Sequence, residues 1–216
     1  MEKSNFRDWT LDKIDEAFGT EQVENLVSLD QWLSFEHTCD DYEIRHLKRV
    51  RSVLNLGIDG WNEVEVENKT ISPIIELTEI DSRQVGYFLE RPLTHTLGNY
   101  ELSGIVDGLI ASGFRSPKLP YFCLSEFKKE MGDGNPNAQA LIAMLVTQDL
   151  NKDDLPIYGC YIVGRNWFFI SLEGKKYAIS KSYTADDDDI FDIFRIMLGL
   201  KFIIHKRLGI VLKASF

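Results

Sequence analysis

The sequence is poor in cysteine and has no long uninterrupted run of apolar residues. Its three cysteines form no CxxC motif and cannot all pair with one another, which excludes a disulfide framework and a zinc ribbon. The longest apolar stretch, residues 190–204, contains charged residues and is too short to cross a bilayer. The first residues, MEKSNFRDW, are charged and include no apolar core, so we expect no signal peptide. These absences predict a soluble, cytoplasmic protein with no membrane partner.

Positive charge is also scarce, with 24 lysine and arginine residues against 34 aspartate and glutamate residues. The formal net charge of −10 argues against a protein whose whole surface grips nucleic acid, since phosphate contacts require clustered basic side chains. To bind nucleic acid, this protein would therefore need a local basic face or a protein partner that supplies the phosphate contacts. The densest basic cluster, in a predicted helix over residues 41–56, is either an ordinary solvated face or such a contact. It comprises Arg45, Lys48, Arg49 and Arg51.

The length of 216 residues, 44% of them hydrophobic, suits one compact domain or one domain with a small extension. Residues 1–57 predict a helical extension that packs on the core, and residues 58–216 predict the core itself. A core helix capped by Asn62 and bent by Pro73 comes first. Strands are expected over residues 87–95, 100–111, 119–127, 157–163, 166–172 and 177–183, with further helices over 137–150 and 190–208. We therefore predict an α/β fold with a mixed central sheet flanked by helices.

The most informative polar side chains lie between residues 101 and 128. Asp107 is on the first of two predicted strands, and Glu126 and Lys128 lie two residues apart on the second. Residues i and i+2 of a strand point to the same face, so Glu126 and Lys128 project together. If the two strands pair, Asp107 can lie beside Glu126, and two such carboxylates need a proton or a cation between them. Their oxygen atoms suit a hard divalent ion such as Mg²⁺.

Each half of this pattern also has a simpler interpretation. Asp107-Gly108 could be a two-residue hairpin turn, and residues 126–130 could be a solvated strand end with weak surface ion pairs. Two observations favour a site. Asp107 lies inside an apolar run rather than between two runs, and the Glu-x-Lys motif ends an apolar strand, where a mixed sheet usually places its site.

The order of these residues resembles the PD-(D/E)XK nuclease superfamily. That pattern has an Asp on one strand, Glu-x-Lys at the end of the next, and a helix with a Gln near its start, here Asp107, Glu126, Lys128 and Gln139. The segments WNEVEVENKTISPIIEL, GYFLERPL and YELSGIVDG look like the nuclease-like domain of type I restriction R subunits, and more like small stand-alone bacterial proteins with that core. The resemblance covers roughly residues 60 to 205. Val106 stands where the superfamily pattern has Pro.

The resemblance implies a restriction-endonuclease-like core that carries a Mg²⁺- or Mn²⁺-dependent phosphodiesterase. The expected partner is nucleic acid, DNA foremost, in defence or DNA processing. A competing hypothesis is a catalytically inactive interaction module with the same fold, which the acidic composition and the absence of an obvious DNA-binding domain favour.

The resemblance also assigns roles to individual residues. Asp107 and Glu126 would hold the metal, helped by an acidic residue of the first core helix. Glu63 matches that residue best, and Glu67, four residues further on the same face, is the alternative. Lys128 would position the attacking water or stabilise developing negative charge. Gln139 would orient Lys128 or contact the phosphate.

Overall fold

A nine-stranded mixed β-sheet forms the centre of the protein in a computed structural model that describes residues 1–129 and 134–210, except the side chain of Leu124. The strands are β1 (Glu2–Asn5), β2 (Glu21–Gln22), β3 (Val85–Leu97), β4 (Tyr100–Ser112), β5 (Lys118–Lys128), β6 (Ile157–Val163), β7 (Asn166–Glu173), β8 (Lys176–Ile179) and β9 (Tyr183–Thr184). The helices are α1 (Leu11–Phe18), α2 (Val27–Leu33), α3 (Asp41–Gly57), α4 (Glu63–Val66), α5 (Ser72–Leu77), α6 (Pro136–Asn151) and α7 (Asp189–Arg207). These elements confirm the predicted α/β class.

The sheet contains both parallel and antiparallel neighbours. Its order is β1-β4-β5-β6-β7-β8-β2, with β3 paired to β4 and β9 paired to β7. The β1–β4, β5–β6 and β2–β8 pairs are parallel, and the remaining pairs are antiparallel. A turn at Gly98-Asn99 joins β3 to β4 as an antiparallel hairpin, which matches the two strands predicted over residues 87–95 and 100–111.

Helices cover both faces of the sheet, as predicted. One buried cluster joins α1 and α6 to the strands, and another joins α2, α3, α5 and α7 to the opposite side. Ten consecutive residues of α6 are buried, from Ala138 to Thr147, because this helix is apolar almost all the way round. None of the helices in the described ranges is both long and apolar enough to cross a bilayer.

The first 57 residues are not helical throughout. They contain three helices, α1, α2 and α3, but they also contribute β1 and β2 to the sheet. The sequence of β1, EKSN, is polar and short, so its residue types do not indicate that it pairs as a strand. The segment is nonetheless packed on the core, because Phe6 is buried and Gly104 leaves room for its ring. A Cβ atom at Gly104 would overlap that ring.

The first core helix is interrupted where the sequence predicts a bend. Asn62 caps it as expected, with its side chain accepting from the Glu65 N–H at 2.9 Å. After α4 the backbone widens into a π-helical segment, Glu67–Ile71, before α5 begins at Ser72. Pro73 has no N–H with which to continue the α-helical pattern from the preceding turn, which explains the irregular join.

Candidate functional site

The predicted site lies where the edge of β4 changes its partner. One edge of β4 pairs with β3 along almost the whole strand. The other edge pairs with β1 over Tyr100–Ser103 and with β5 from Gly108 onward. Asp107 occupies the gap between these two partners. Such a change of neighbour along a sheet opens space for a ligand, as at the switch points of other α/β folds.

Asp107 uses its side chain in place of a strand-to-strand backbone contact. The last described β4–β5 pair is Gly108 with Ser125. Beyond it, the Asp107 Oδ2 atom accepts a hydrogen bond from the Phe127 N–H at 2.6 Å. The carboxylate therefore sits between the diverging strands rather than in a hairpin turn, which excludes the turn interpretation for this residue.

Lys128 lies among three carboxylates. Its Nζ atom is 3.0 Å from Glu126 Oε1, 4.0 Å from Asp107 Oδ2 and 3.9 Å from Glu63 Oε1. The side chains of Lys128 and Glu126 are only 10% and 6% exposed, so this is not a solvated strand end. Lys128 Nζ also donates to the Phe127 carbonyl at 2.8 Å. The structure thus brings together four of the five predicted site residues around one ammonium group.

Gln139, the fifth predicted residue, lies in the first turn of α6 and is buried. It lines a cavity of about 360 Å³ together with Arg7, Glu63, Lys128 and Gly134. Gly134 is the first described residue after residues 130–133, which lie outside the described ranges. The cavity is therefore lined both by Lys128 and by the first turn of α6.

Glu67, the alternative to Glu63, lies one turn further along, in the π-helical segment. Burial raises its pKa, and the charges of Glu90 and Asp107 raise it further. Glu67 is therefore close enough to Asp107 for their charges to interact, whereas Glu63 is the one of these two glutamates that lies within 4.0 Å of Lys128. Which of the two joins the site stays a prediction.

The site holds more negative charge than its ammonium neutralises. Burial raises the pKa of Glu126 to about 7, with Asp107 adding to the effect and Lys128 opposing it. Burial also raises the pKa of Asp107, against the Phe127 hydrogen bond and Lys128. Burial by itself would lower the pKa of Lys128, but Glu126, Asp107 and Glu63 together raise it. Lys128 is therefore a cation at neutral pH, while its carboxylate neighbours compete for a further proton or cation.

Hard divalent cations fit this donor set, since Mg²⁺ and Mn²⁺ prefer carboxylate oxygens. The carboxylates meet around Lys128 rather than around one another, and in the described residues no three of them come within 4.8 Å as a group. One other cluster does so, formed by His37, Cys39 and Glu43. Its thiol and imidazole suit a softer ion such as Zn²⁺, and it contains none of the predicted site residues.

Two residues near the site were missed from the sequence. Arg7, in a 3₁₀ helix (Phe6–Asp8), lines the cavity, and its charge lowers the pKa of Glu126. Glu90 lies between Leu89 and Arg91, which pair with Gly108 and Val106, and its backbone is left-handed with φ 53°. Counting back from the Gly98 turn would have found Glu90. Arg7 carried no local signal, because its position depends on the β1–β4 pairing.

Neither a protein-family model nor a curated protein matches this sequence. The resemblance to the PD-(D/E)XK superfamily therefore depends on the four motif residues and on the three sequence segments that accompany them.

The pKa of Glu126 predicts a pH-dependent stability in the metal-free protein. A carboxyl whose pKa is higher in the folded state binds more protons there, so stability falls as pH rises from about 4.5 to about 7. At 1.36 kcal/mol for each pH unit between those values, the loss is roughly 3 kcal/mol. Urea denaturation in EDTA at pH 5 and pH 8 measures it. Glu126→Gln should flatten this part of the profile, and parallel profiles for the two proteins would show that Glu126 titrates normally.

Proposed function

We propose that this protein is a Mg²⁺- or Mn²⁺-dependent phosphodiesterase of the PD-(D/E)XK type that cleaves nucleic acid, DNA foremost. The observation that carries the proposal is the convergence of Asp107, Glu126 and Lys128 at the point where β4 and β5 separate. A buried ion pair contributes little net stability, and carboxyls whose pKa is shifted by burial and by a nearby charge are typical of functional sites. The proposal includes a restriction-endonuclease-like core within the mixed sheet.

Asp107 and Glu126 would hold the ion, with Glu63 contributing from the start of α4. The chemistry that such an ion supplies is polarisation of a phosphoryl oxygen and activation of water at neutral pH. The protein's own contribution is to keep Asp107 and Glu126 largely buried, with Asp107 held by the Phe127 N–H. Rigid placement of the ligands lowers the reorganisation needed when the ion and substrate bind.

Lys128 would stabilise the negative charge that develops on the phosphoryl oxygens, or position the attacking water. Its raised pKa keeps it protonated, and its 10% exposure places the charge in a region of reduced dielectric. A fixed cation in such surroundings interacts with a developing charge more strongly than it would in water. Gln139 lines the same cavity and offers an amide donor that can contact the phosphate or orient Lys128.

The basic cluster of α3 remains a candidate contact for the substrate or for a partner. Arg45, Lys48 and Arg49 are exposed, whereas Arg51 pairs with Asp188 and is only partly exposed. Three exposed basic side chains are too few to account for tight binding of a long duplex by themselves. The proposal therefore includes a protein partner that supplies additional contacts to the nucleic-acid phosphates.

A second candidate is the inactive interaction module of the same fold. The observation that favours it is that Lys128 already provides an internal counter-ion, at 3.0 Å from Glu126. The two candidates are separated by a cleavage assay on single- and double-stranded DNA and RNA with Mg²⁺, Mn²⁺ or EDTA. We expect metal-dependent cleavage by the wild type and none by Glu126→Gln. Failure of the wild type on every substrate would support the interaction module instead.

A further inference from the structure

We propose that Arg7 forms a phosphate-binding subsite that holds a phosphodiester group of the nucleic-acid strand at the mouth of the cavity. This inference rests on the proposed function for its substrate class. The amino-terminal segment, which the sequence predicts only to be an extension, then forms part of the substrate site through Arg7.

The backbone of Arg7 is anchored on both sides. Before it, β1 pairs with β4, and the Asn5 side chain accepts from the Arg7 N–H at 3.1 Å. The Asp8 carboxylate in turn accepts from the Asn5 N–H at 2.9 Å, which completes a capping box. Phe6 and Trp9 on either side are buried. The position of Arg7 beside β4 is therefore determined by packing, while its long side chain is left to reach the cavity.

The guanidinium of Arg7 has no carboxylate partner in the part of the chain that the structure describes. No Asp or Glu oxygen in residues 1–129 and 134–210 lies within 4.0 Å of it. Several other arginines are committed to aspartates, namely Arg51, Arg165, Arg195 and Arg207. Lys128, the other cation at this cavity, is surrounded by carboxylates. Of the two, Arg7 is thus the one with its donors available to a ligand.

The chemistry of the guanidinium selects a phosphate. Arg presents a planar set of N–H donors that can bind two oxygens of one phosphate at once. Arg7 lines the same cavity as Lys128 and Gln139, so a strand whose reacting phosphate lies at Lys128 can place a neighbouring phosphate at Arg7. The exposure of Arg7 suits a subsite at the entrance of the cavity rather than at the reacting phosphate.

Charge balance makes this subsite dependent on a divalent ion. Asp107, Glu126 and Glu63 exceed Lys128 and Arg7 by one negative charge when all are ionised. A bound divalent ion would reverse that sign, so the site should attract a phosphodiester when loaded and repel it when empty. Strand binding that requires both Arg7 and the ion is therefore the signature of the subsite.

The test is binding rather than turnover. Fluorescence anisotropy is measured on a labelled oligonucleotide, single-stranded and duplex, with Ca²⁺ in place of Mg²⁺ and with EDTA as the second condition. We expect Arg7→Ala to weaken binding about tenfold or more in Ca²⁺ and to reduce the salt dependence by about one phosphate contact. Arg7→Lys should recover only part of the affinity, because it loses the planar donor pair. Lys3→Ala is the matched control, since Lys3 lies on β1 and pairs with Glu101.

The outcomes separate this inference from the proposed function. Equal binding by Arg7→Ala and wild type would overturn the subsite, even if the wild type cleaves. Arg7-dependent binding without cleavage on any substrate would keep the subsite and remove the proposed catalysis. Failure of the wild type to bind either strand in Ca²⁺ would overturn the subsite, and the cleavage assay would decide the proposed function separately. Thermal melting of each variant checks that the fold is intact, as expected for an exposed side chain.

Discussion

Replacing Lys128 by methionine should lower the rate of nucleic-acid cleavage by about 10²- to 10³-fold, the usual effect of removing one group that stabilises transition-state charge. Methionine keeps much of the aliphatic stem of Lys128 and removes only the ammonium. Because that ammonium is 3.0 Å from Glu126 and 4.0 Å from Asp107, the change should act on turnover more than on substrate binding. Single-turnover rates at saturating Mg²⁺ or Mn²⁺ measure the effect.

Lys129→Ala is the matched control for Lys128. Lys129 is the next residue in the chain, but it lines a different cavity, together with Asp59, Gly164 and Arg165. Loss of the ammonium at Lys128 also leaves three carboxylates without their counter-ion, so the rates must be compared at equal folded fraction. Equal cleavage by the Lys128 and Lys129 variants would remove Lys128 from the mechanism.

Titrated Mg²⁺ or Mn²⁺ should stabilise the wild-type protein through Asp107 and Glu126. At a hundredfold excess over Kd, binding adds about 2.7 kcal/mol, which for a chain of this size raises Tm by about 5 to 10 °C. Asp107→Asn should abolish this increase. Asparagine can still accept from the Phe127 N–H, so the variant removes the charge without leaving a buried donor unpaired. In the metal-free protein, Asp107→Asn should be neutral or stabilising, because it relieves repulsion with Glu126.

Cys39→Ser distinguishes this site from the other possible metal cluster. Cys39 belongs to the group with His37 and Glu43, which lies between α2 and the first turn of α3. The Mn²⁺-dependent increase in Tm should survive in Cys39→Ser and disappear in Asp107→Asn. The reverse result would place the ion at the thiol cluster and contradict the predicted carboxylate site.

Local patterns in the sequence accounted for most of the elements and for the centre of the site. Alternating and helical spacing identified α3, α6, α7 and the β3–β4 hairpin, since these elements bury an apolar face of their own. The juxtaposition of Asp107, Glu126 and Lys128 followed from strand geometry once β4 and β5 were taken as neighbours. The type of a residue indicates whether its position is buried or exposed. In these elements buried and exposed positions recur with the period of the strand or helix, so the sequence reveals them.

The tertiary structure alone decided how the amino-terminal segment meets the site. β1 pairs with a strand about a hundred residues away through backbone hydrogen bonds, which any residue type can make, so its four polar residues held no clue. That pairing brings Arg7 to the cavity, and the β3–β4 pairs on either side of Glu90 bring it to the level of Asp107. The sequence by itself determined which carboxylates and which lysine could form a site. The long-range pairing of the sheet determined that Arg7 lies beside them, because contacts between distant segments are specified by the whole fold.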